Sequence, residues 1–244
     1  AEAFLYPIPY EYYKEYGIRK YGFHGTSHRF VTLATAEFLG KKQEDTTIIT
    51  CHLGNGCSMA AVKNGKCVDT TMGLTPLEGL MMGTRCGDID PAAVIRMIQL
   101  GKSAQEVDTI MNKKSGLLGV GGIGSGDMRD MQAAAEQGNE RAALAINMFV
   151  RRIVKYIGSY FVLLGGVDAL VFTGGIGENS VDIRAQIMNG LKALNIRLDN
   201  DKNKQFMGKA GIISTDDSAF KAIVMPTNEE LMIALSTMEV LGLN

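Results

Sequence analysis

The run from residue 47 to 71 constrains the fold most. It holds three β-type stretches, TIITCHLG, CSMAAVKN and GKCVDTTM, with Gly54-Asn55-Gly56 between the first two and Asn64-Gly65 between the last two. Asn-Gly is the preferred two-residue hairpin turn, because both central positions need positive φ. TIITCHL is apolar enough for an interior strand, which needs cover on both faces.

Helical patterns supply that cover. PAAVIRMIQLG places Pro91 in a first turn, where a missing N–H costs nothing. SAQEVDTIMNK opens with Ser103 and Glu106 at capping-box spacing. From Met128 to Leu164 apolar residues recur at three and four, which predicts two helices divided near Gln137-Gly138-Asn139. VDALVFT then reads as a buried strand, VDIRAQIMNGLKAL as a helix, AFKAIVMP as a strand and NEELMIALSTMEV as a closing helix. The order predicts an α/β domain with a mixed sheet flanked by helices, and no Ser/Pro-rich linker divides residues 1–244.

Composition excludes several classes. The formal net charge is −1 with no long run of one sign, which argues against a nucleic-acid surface or a polybasic membrane anchor. The longest apolar runs fall short of a membrane span. Four cysteines form no CxxC pair and nothing resembles a secretion signal, so they read as reduced, mostly buried residues of a cytoplasmic protein. The fourteen methionines read as core filler. The opening AEAFLYPIPYEYYKEYG has no initiator Met and reads as a lead-in over residues 1–20. It suggests an absent upstream part, or else a processed terminus.

Five stretches carry candidate chemistry. In HLGNGCS, Gly54, Asn55 and Gly56 free backbone N–H groups to face a ligand, phosphate above all, although a plain hairpin turn explains them too. VFTGGIGENS has the order buried strand, glycine turn, helix, which receives phosphates or a nucleotide's sugar. Asn179 or Ser180 could instead cap the next helix. In SGDMRD, Asp127 and Arg129 suit a ribose hydroxyl and a base, or equally a solvated helix cap. YGFHGTSHRF holds two of the three histidines, His24 and His28. It reads as a loop leading to a helix capped by Ser27, without the further ligands zinc requires. In MGTRCGDIDP, Arg85 sits among small residues. It could pair with Asp88 or Asp90, or stabilise charge on a travelling phosphoryl group. A Walker A loop is absent.

YGFHGTSH, HLGNGCS, TPLEGLMMGTRCGDIDP, SGDMRD, FTGGIGENS and PTNEEL, in that order, resemble the acetate kinase family across essentially the whole chain. The resemblance implies the actin-like, sugar-kinase-like (ribonuclease H-like) fold. It also implies transfer of the ATP γ-phosphoryl to acetate, giving acetyl phosphate and ADP. By motif, His52, Leu53, Gly54, Asn55 and Gly56, Asp127, Met128 and Arg129, and Gly174, Gly175, Ile176, Gly177 and Glu178 would line the ATP site. His24 and Arg85 would hold the travelling phosphoryl, and Glu229 would help place Mg²⁺ or Mn²⁺. A homodimer through this domain is implied as well.

The departure is the family's opening strand with its Asn-Ala-Gly-Ser-Ser loop, carboxylate-binding arginine and aspartate, none of which is found here. The chain therefore resembles the C-terminal nucleotide-binding domain. Propionate or butyrate kinase is the runner-up activity. A non-catalytic ATP-binding or dimerisation module is the alternative of another class.

Overall fold

The computed structural model describes residues 1–243. In chain order, α1 (Tyr10–Tyr16) and α2 (Gly25–Phe38) precede strands β1 (Ile48–Leu53), β2 (Cys57–Lys63) and β3 (Lys66–Thr70). Next come α3 (Pro91–Gln99), α4 (Ala104–Lys113), α5 (Gly116–Gly121), α6 (Met128–Glu136) and α7 (Glu140–Leu164). The chain closes with β4 (Ala169–Thr173), α8 (Gly174–Asn179), α9 (Val181–Gly190), α10 (Asn200–Gln205), β5 (Gly211–Ile212), β6 (Lys221–Val224) and α11 (Glu229–Leu241).

These elements form two compact units. One comprises residues 1–22, 54–57 and 71–153, the other 23–53, 58–70 and 154–244, of which residue 244 lies outside the described residues. No linker marks them in the sequence, because the chain passes between them after residues 22, 53, 57, 70 and 153.

The second unit is built on a mixed sheet of order β3-β2-β1-β4-β6-β5. β1, β4 and β6 run parallel, while β2/β3 and β5/β6 are antiparallel. One face of the parallel strands, with Ile48, Ala169, Val171 and Ile223, packs with Val31 of α2. The alternate residues Ile49, Cys51, Leu170, Phe172 and Val224 are fully buried too, so both faces are covered, as the apolar run of β1 requires. Asn64 and Gly65 join β2 to β3 with φ of 52° and 70°, the mirror-image turn the dipeptide predicts.

The first unit is helical. Asp90 caps α3 by accepting from the Ala92 N–H, and the predicted capping box of Ser103 and Glu106 starts α4. Its core includes Leu80, Met82, Leu117, Met131 and Phe149, all fully or almost fully buried. The lead-in is anchored here: the Tyr6 hydroxyl donates to Glu78, which Lys20 also meets at 3.3 Å.

Two expectations change. The helix after YGFH begins at Gly25, so Ser27 lies buried in its first turn and is not its cap. Of the free cysteines, Cys51 and Cys57 are buried, Cys86 is partly covered and Cys67 is exposed.

Candidate functional site

In the first unit, three of the singled-out motifs meet at one glycine. Gly83 donates its N–H to the Asn55 carbonyl at 3.0 Å. A Cβ at Gly83 would lie 2.0 Å from Asn55 Oδ1, and one at Gly126 would lie 2.5 Å from the Gly83 carbonyl. The Gly54–Gly56 turn, the MGTR segment and the loop before α6 therefore touch backbone to backbone. The Gly54 N–H donates to the Gly56 carbonyl at 3.2 Å, whereas the N–H groups of Asn55 and Gly56 have no acceptor among the described residues. Neither Gly54 nor Gly56 adopts positive φ. The close approach is made by Gly83 and Gly126, the glycines that face this turn and one another.

Arg85 follows two residues after Gly83. The segment that carries it is fixed by main-chain bonds: Met82 N–H to Arg85 O at 3.1 Å, Ser115 N–H to Thr84 O at 2.9 Å, and Cys86 N–H to Met111 O at 3.1 Å. Its guanidinium donates to the Pro76 carbonyl at 3.4 Å and lies 3.7 Å from the Met82 sulfur. Among the described residues no carboxylate pairs with it. Asp88 is taken by Arg152 and the Gly79 N–H, and Asp90 by its helix. A partly buried guanidinium without a counter-charge is a ready anion site.

Asp127 and Arg129 are engaged with each other. Asp127 accepts from the Arg129 N–H at 2.8 Å, from Nε at 3.0 Å and from Nη2 at 2.6 Å, which caps α6. These bonds hold the Asp127 carboxyl down at about 2. Met128, between them, is buried.

In the second unit all three histidines of the chain converge. His24, in left-handed conformation (φ 60°) just ahead of α2, stacks on His52 of β1 with ring centroids 4.2 Å apart. His24 Nδ1 is 2.9 Å from the Ser58 hydroxyl, which is also 2.7 Å from His28 Nε2. His28 Nδ1 is 2.7 Å from the Thr50 hydroxyl, and His52 Nδ1 is 2.8 Å from that of Ser27. Burial pushes His28 down to about 3 and His52 to about 4, so both are neutral at physiological pH. Their partners Ser27, Thr50 and Ser58 are fully buried and had no signal in the sequence beyond being hydroxyls on strand or helix.

The glycine turn after β4 is itself helical. Gly174 takes φ of +75°, and a Cβ there would sit 2.9 Å from the Leu53 carbonyl, so the α8 start abuts the end of β1. Glu178 folds back on that start: its Oε1 accepts from the Gly174 N–H at 2.8 Å, the Thr173 hydroxyl at 3.2 Å and the Thr227 N–H at 3.2 Å. Arg184, fully buried, holds the other end through the carbonyls of Gly177 at 2.9 Å and Glu178 at 2.7 Å. Its position on the apolar face of α9, between Ile183 and Ile187, was the available clue. Gly175 has open space where a Cβ would stand. Asn228 caps α11, and the Glu229 carboxylate beside it has no hydrogen bond or ion pair among the described residues. No cluster of three or more His, Cys, Asp or Glu able to hold a metal occurs among the described residues.

The chain matches the model of the acetokinase family over residues 1–235. It is 58% identical over 243 residues to an acetate kinase of Clostridium novyi (strain NT), covering 99% of this chain and 60% of the relative. An acetate kinase of Nitratidesulfovibrio vulgaris (strain DP4) is 60% identical over 242 residues, again with 99% of this chain and 60% of the relative covered. The Porphyromonas gingivalis acetate kinase structure superposes with a TM-score of 0.95 at 46% identity, covering 98% of this chain and 60% of that one. A Francisella tularensis propionate kinase gives 0.90 at 45% identity, covering 96% and 59%. The chain thus spans about 60% of the length of the relatives it matches. Carrying that likeness along nearly its whole length, the chain belongs to the acetokinase family.

Proposed function

We propose that this chain is the nucleotide-binding part of a phosphotransferase that moves the γ-phosphoryl of ATP to acetate, reversibly, giving acetyl phosphate and ADP. The observation that carries the reading is Arg85, a partly buried guanidinium fixed by its backbone and left without a carboxylate. A planar cation so placed suits the equatorial oxygens of a phosphoryl group in flight. The unengaged N–H groups of Asn55 and Gly56 suit the oxygens of the nucleotide's phosphates.

An acetate oxygen would form a bond to γ-phosphorus while the bond to the β,γ-bridging oxygen breaks, its electron pair leaving with ADP. Acetate is already an anion near neutral pH, so no general base is required. Arg85 and the His24 imidazole would donate to the phosphoryl oxygens, and positioning with charge stabilisation would supply most of the rate. Glu229 fits a hard divalent cation, because Mg²⁺ or Mn²⁺ asks for one or two carboxylates and takes its other oxygens from phosphate and water. Such an ion, when bound, neutralises phosphate charge. Gly174–Glu178 would receive the adenosine, and Asp127–Arg129 the ribose and base once their mutual pair opens.

Formation of acetyl phosphate from ATP and acetate, followed with hydroxylamine, tests the reading. It should proceed with this chain joined to the segment that the resemblance places before it. Nucleotide binding without any transfer would favour the non-catalytic module. Propionate is the second acceptor to measure, because a propionate kinase structure is nearly as similar as an acetate kinase structure. One methylene separates the two acids and is worth about 1–3 kcal/mol. A homodimer and a cytoplasmic location complete the proposal; no described helix is long and apolar enough to cross a membrane.

A further inference from the structure

The hydroxyl of Ser58 lies between two imidazoles, 2.9 Å from His24 Nδ1 and 2.7 Å from His28 Nε2. It owns one hydrogen and can give it to only one of them. If Ser58 donates to His24, it must accept from His28, and both rings then carry hydrogen on Nε2. If it donates to His28, neutral rings both carry hydrogen on Nδ1. The two tautomers are locked together.

Thr50 decides which pair holds. Its buried hydroxyl is 2.7 Å from His28 Nδ1 and 3.5 Å from the Ala60 carbonyl. With hydrogen on His28 Nδ1, the Thr50 hydrogen has only the 3.5 Å contact, at the outer limit of a hydrogen bond, and a buried donor is nearly wasted. With hydrogen on His28 Nε2, the hydrogens of Thr50, His28 and Ser58 each find an acceptor within 2.9 Å.

We infer that Thr50, His28 and Ser58 form a one-way hydrogen-bond relay that makes them positioning residues, holding His24 as the neutral tautomer with its hydrogen on Nε2. Ser58 donates to Nδ1 and fixes the ring edge, while the His52 ring stacked at 4.2 Å fixes its plane. His24 then serves as a hydrogen-bond donor to an anionic oxygen without first taking up a proton. The neutral state of buried His28 agrees with this polarity. The inference rests on the reading of His24 as the imidazole that meets the phosphoryl group, but its tautomer is measurable by itself.

The test is ¹⁵N NMR of the six ring nitrogens of the three histidines in the unmodified protein near pH 7.5. His24 and His28 should both show a bare Nδ1 and a protonated Nε2; hydrogen on Nδ1 of either overturns the relay. In the active enzyme, Ser58→Ala should lower kcat about 10–100-fold while the KM for ATP moves less than about twofold. Ser58→Thr, which keeps the hydroxyl, should restore most of it. Equal losses in kcat and KM from Ser58→Ala, or no loss where His24→Ala is strongly impaired, would overturn the positioning role. An unimpaired His24→Ala would sink the reading of His24 instead, leaving the NMR result to judge the relay alone.

Discussion

The two units differ in what they leave unengaged that could meet an anion. The first leaves a cation and amides unspent: Arg85 has no carboxylate, and the Asn55 and Gly56 N–H groups have no acceptor among the described residues. The second spends what it has. Glu178 covers the Gly174 N–H, and two of its three imidazoles are buried and neutral. Two glycine turns that look alike as text, Gly54–Gly56 and Gly174–Gly177, therefore differ in charge and availability. Uncompensated charge should govern the chemical step, and neutral buried groups should govern stability against acid.

Arg85→Ala should break that comparison most visibly. With its cation gone, kcat should fall by about 10³-fold while the KM for ATP stays within a few-fold, since the charge it meets develops in the transition state. Steady-state kinetics on the active enzyme would show it. Equal loss in both constants would make Arg85 a structural residue, and the unspent cation would mean nothing.

Acidification should act on the second unit, because all three histidines lie there. His28 and His52 are held near 3 and 4, below an unfolded value of about 6.5. Above pH 6.5 neither state binds these protons and nothing is gained. Below it the unfolded chain takes them up first, so each histidine costs about 1.4 kcal/mol per pH unit until its folded value is reached. The pair should cost about 4 kcal/mol by pH 5, read as a falling Tm between pH 6.5 and 5. Asp127, held down at about 2 by Arg129, has the opposite sense: it loses stabilisation only as pH falls below about 4. A Tm flat to pH 5 would show that the imidazoles are solvated.

What could be seen in advance was whatever is local. Asn64-Gly65 and the Ser103/Glu106 box act on their own neighbours, and both formed as the residues predict. The start of α2 was misplaced because His24 is held at positive φ beside His52 and Ser58, partners 28 and 34 residues away. Gly54 and Gly56 were singled out for exposing backbone N–H groups, and neither adopts positive φ. Gly83 gave no sign of being the meeting point of three motifs, because its partners Asn55 and Gly126 come from distant stretches. The candidate residues were legible as motifs; which are spent on one another, as Asp127 is on Arg129, is a three-dimensional fact.

Gly83→Ala against Gly175→Ala sharpens the contrast between the turns. The first inserts a Cβ 2.0 Å from Asn55 Oδ1 and 3.1 Å from the Gly126 carbonyl, so the Asn55 side chain must turn out of the Gly54–Gly56 turn and the Gly126 backbone must give slightly; the second meets open space. Nucleotide KM should rise about 10–100-fold for Gly83→Ala and stay near wild type for Gly175→Ala. The reverse order would move phosphate recognition to the second unit.

Glu178→Gln is the subtlest probe. Gln keeps an acceptor for the Gly174 N–H but removes the negative charge at that spot. If the α8 start took phosphate, a carboxylate there would repel it. Its removal would then tighten ADP several-fold, most of all at low salt where charges are least screened. If the stretch meets the uncharged adenosine, the affinity for ADP should change by less than about twofold at any ionic strength. Titration calorimetry with ADP at two salt concentrations separates the cases. We expect the small, salt-independent change, because a carboxylate already bound to three donors leaves that helix end no field to offer a phosphate.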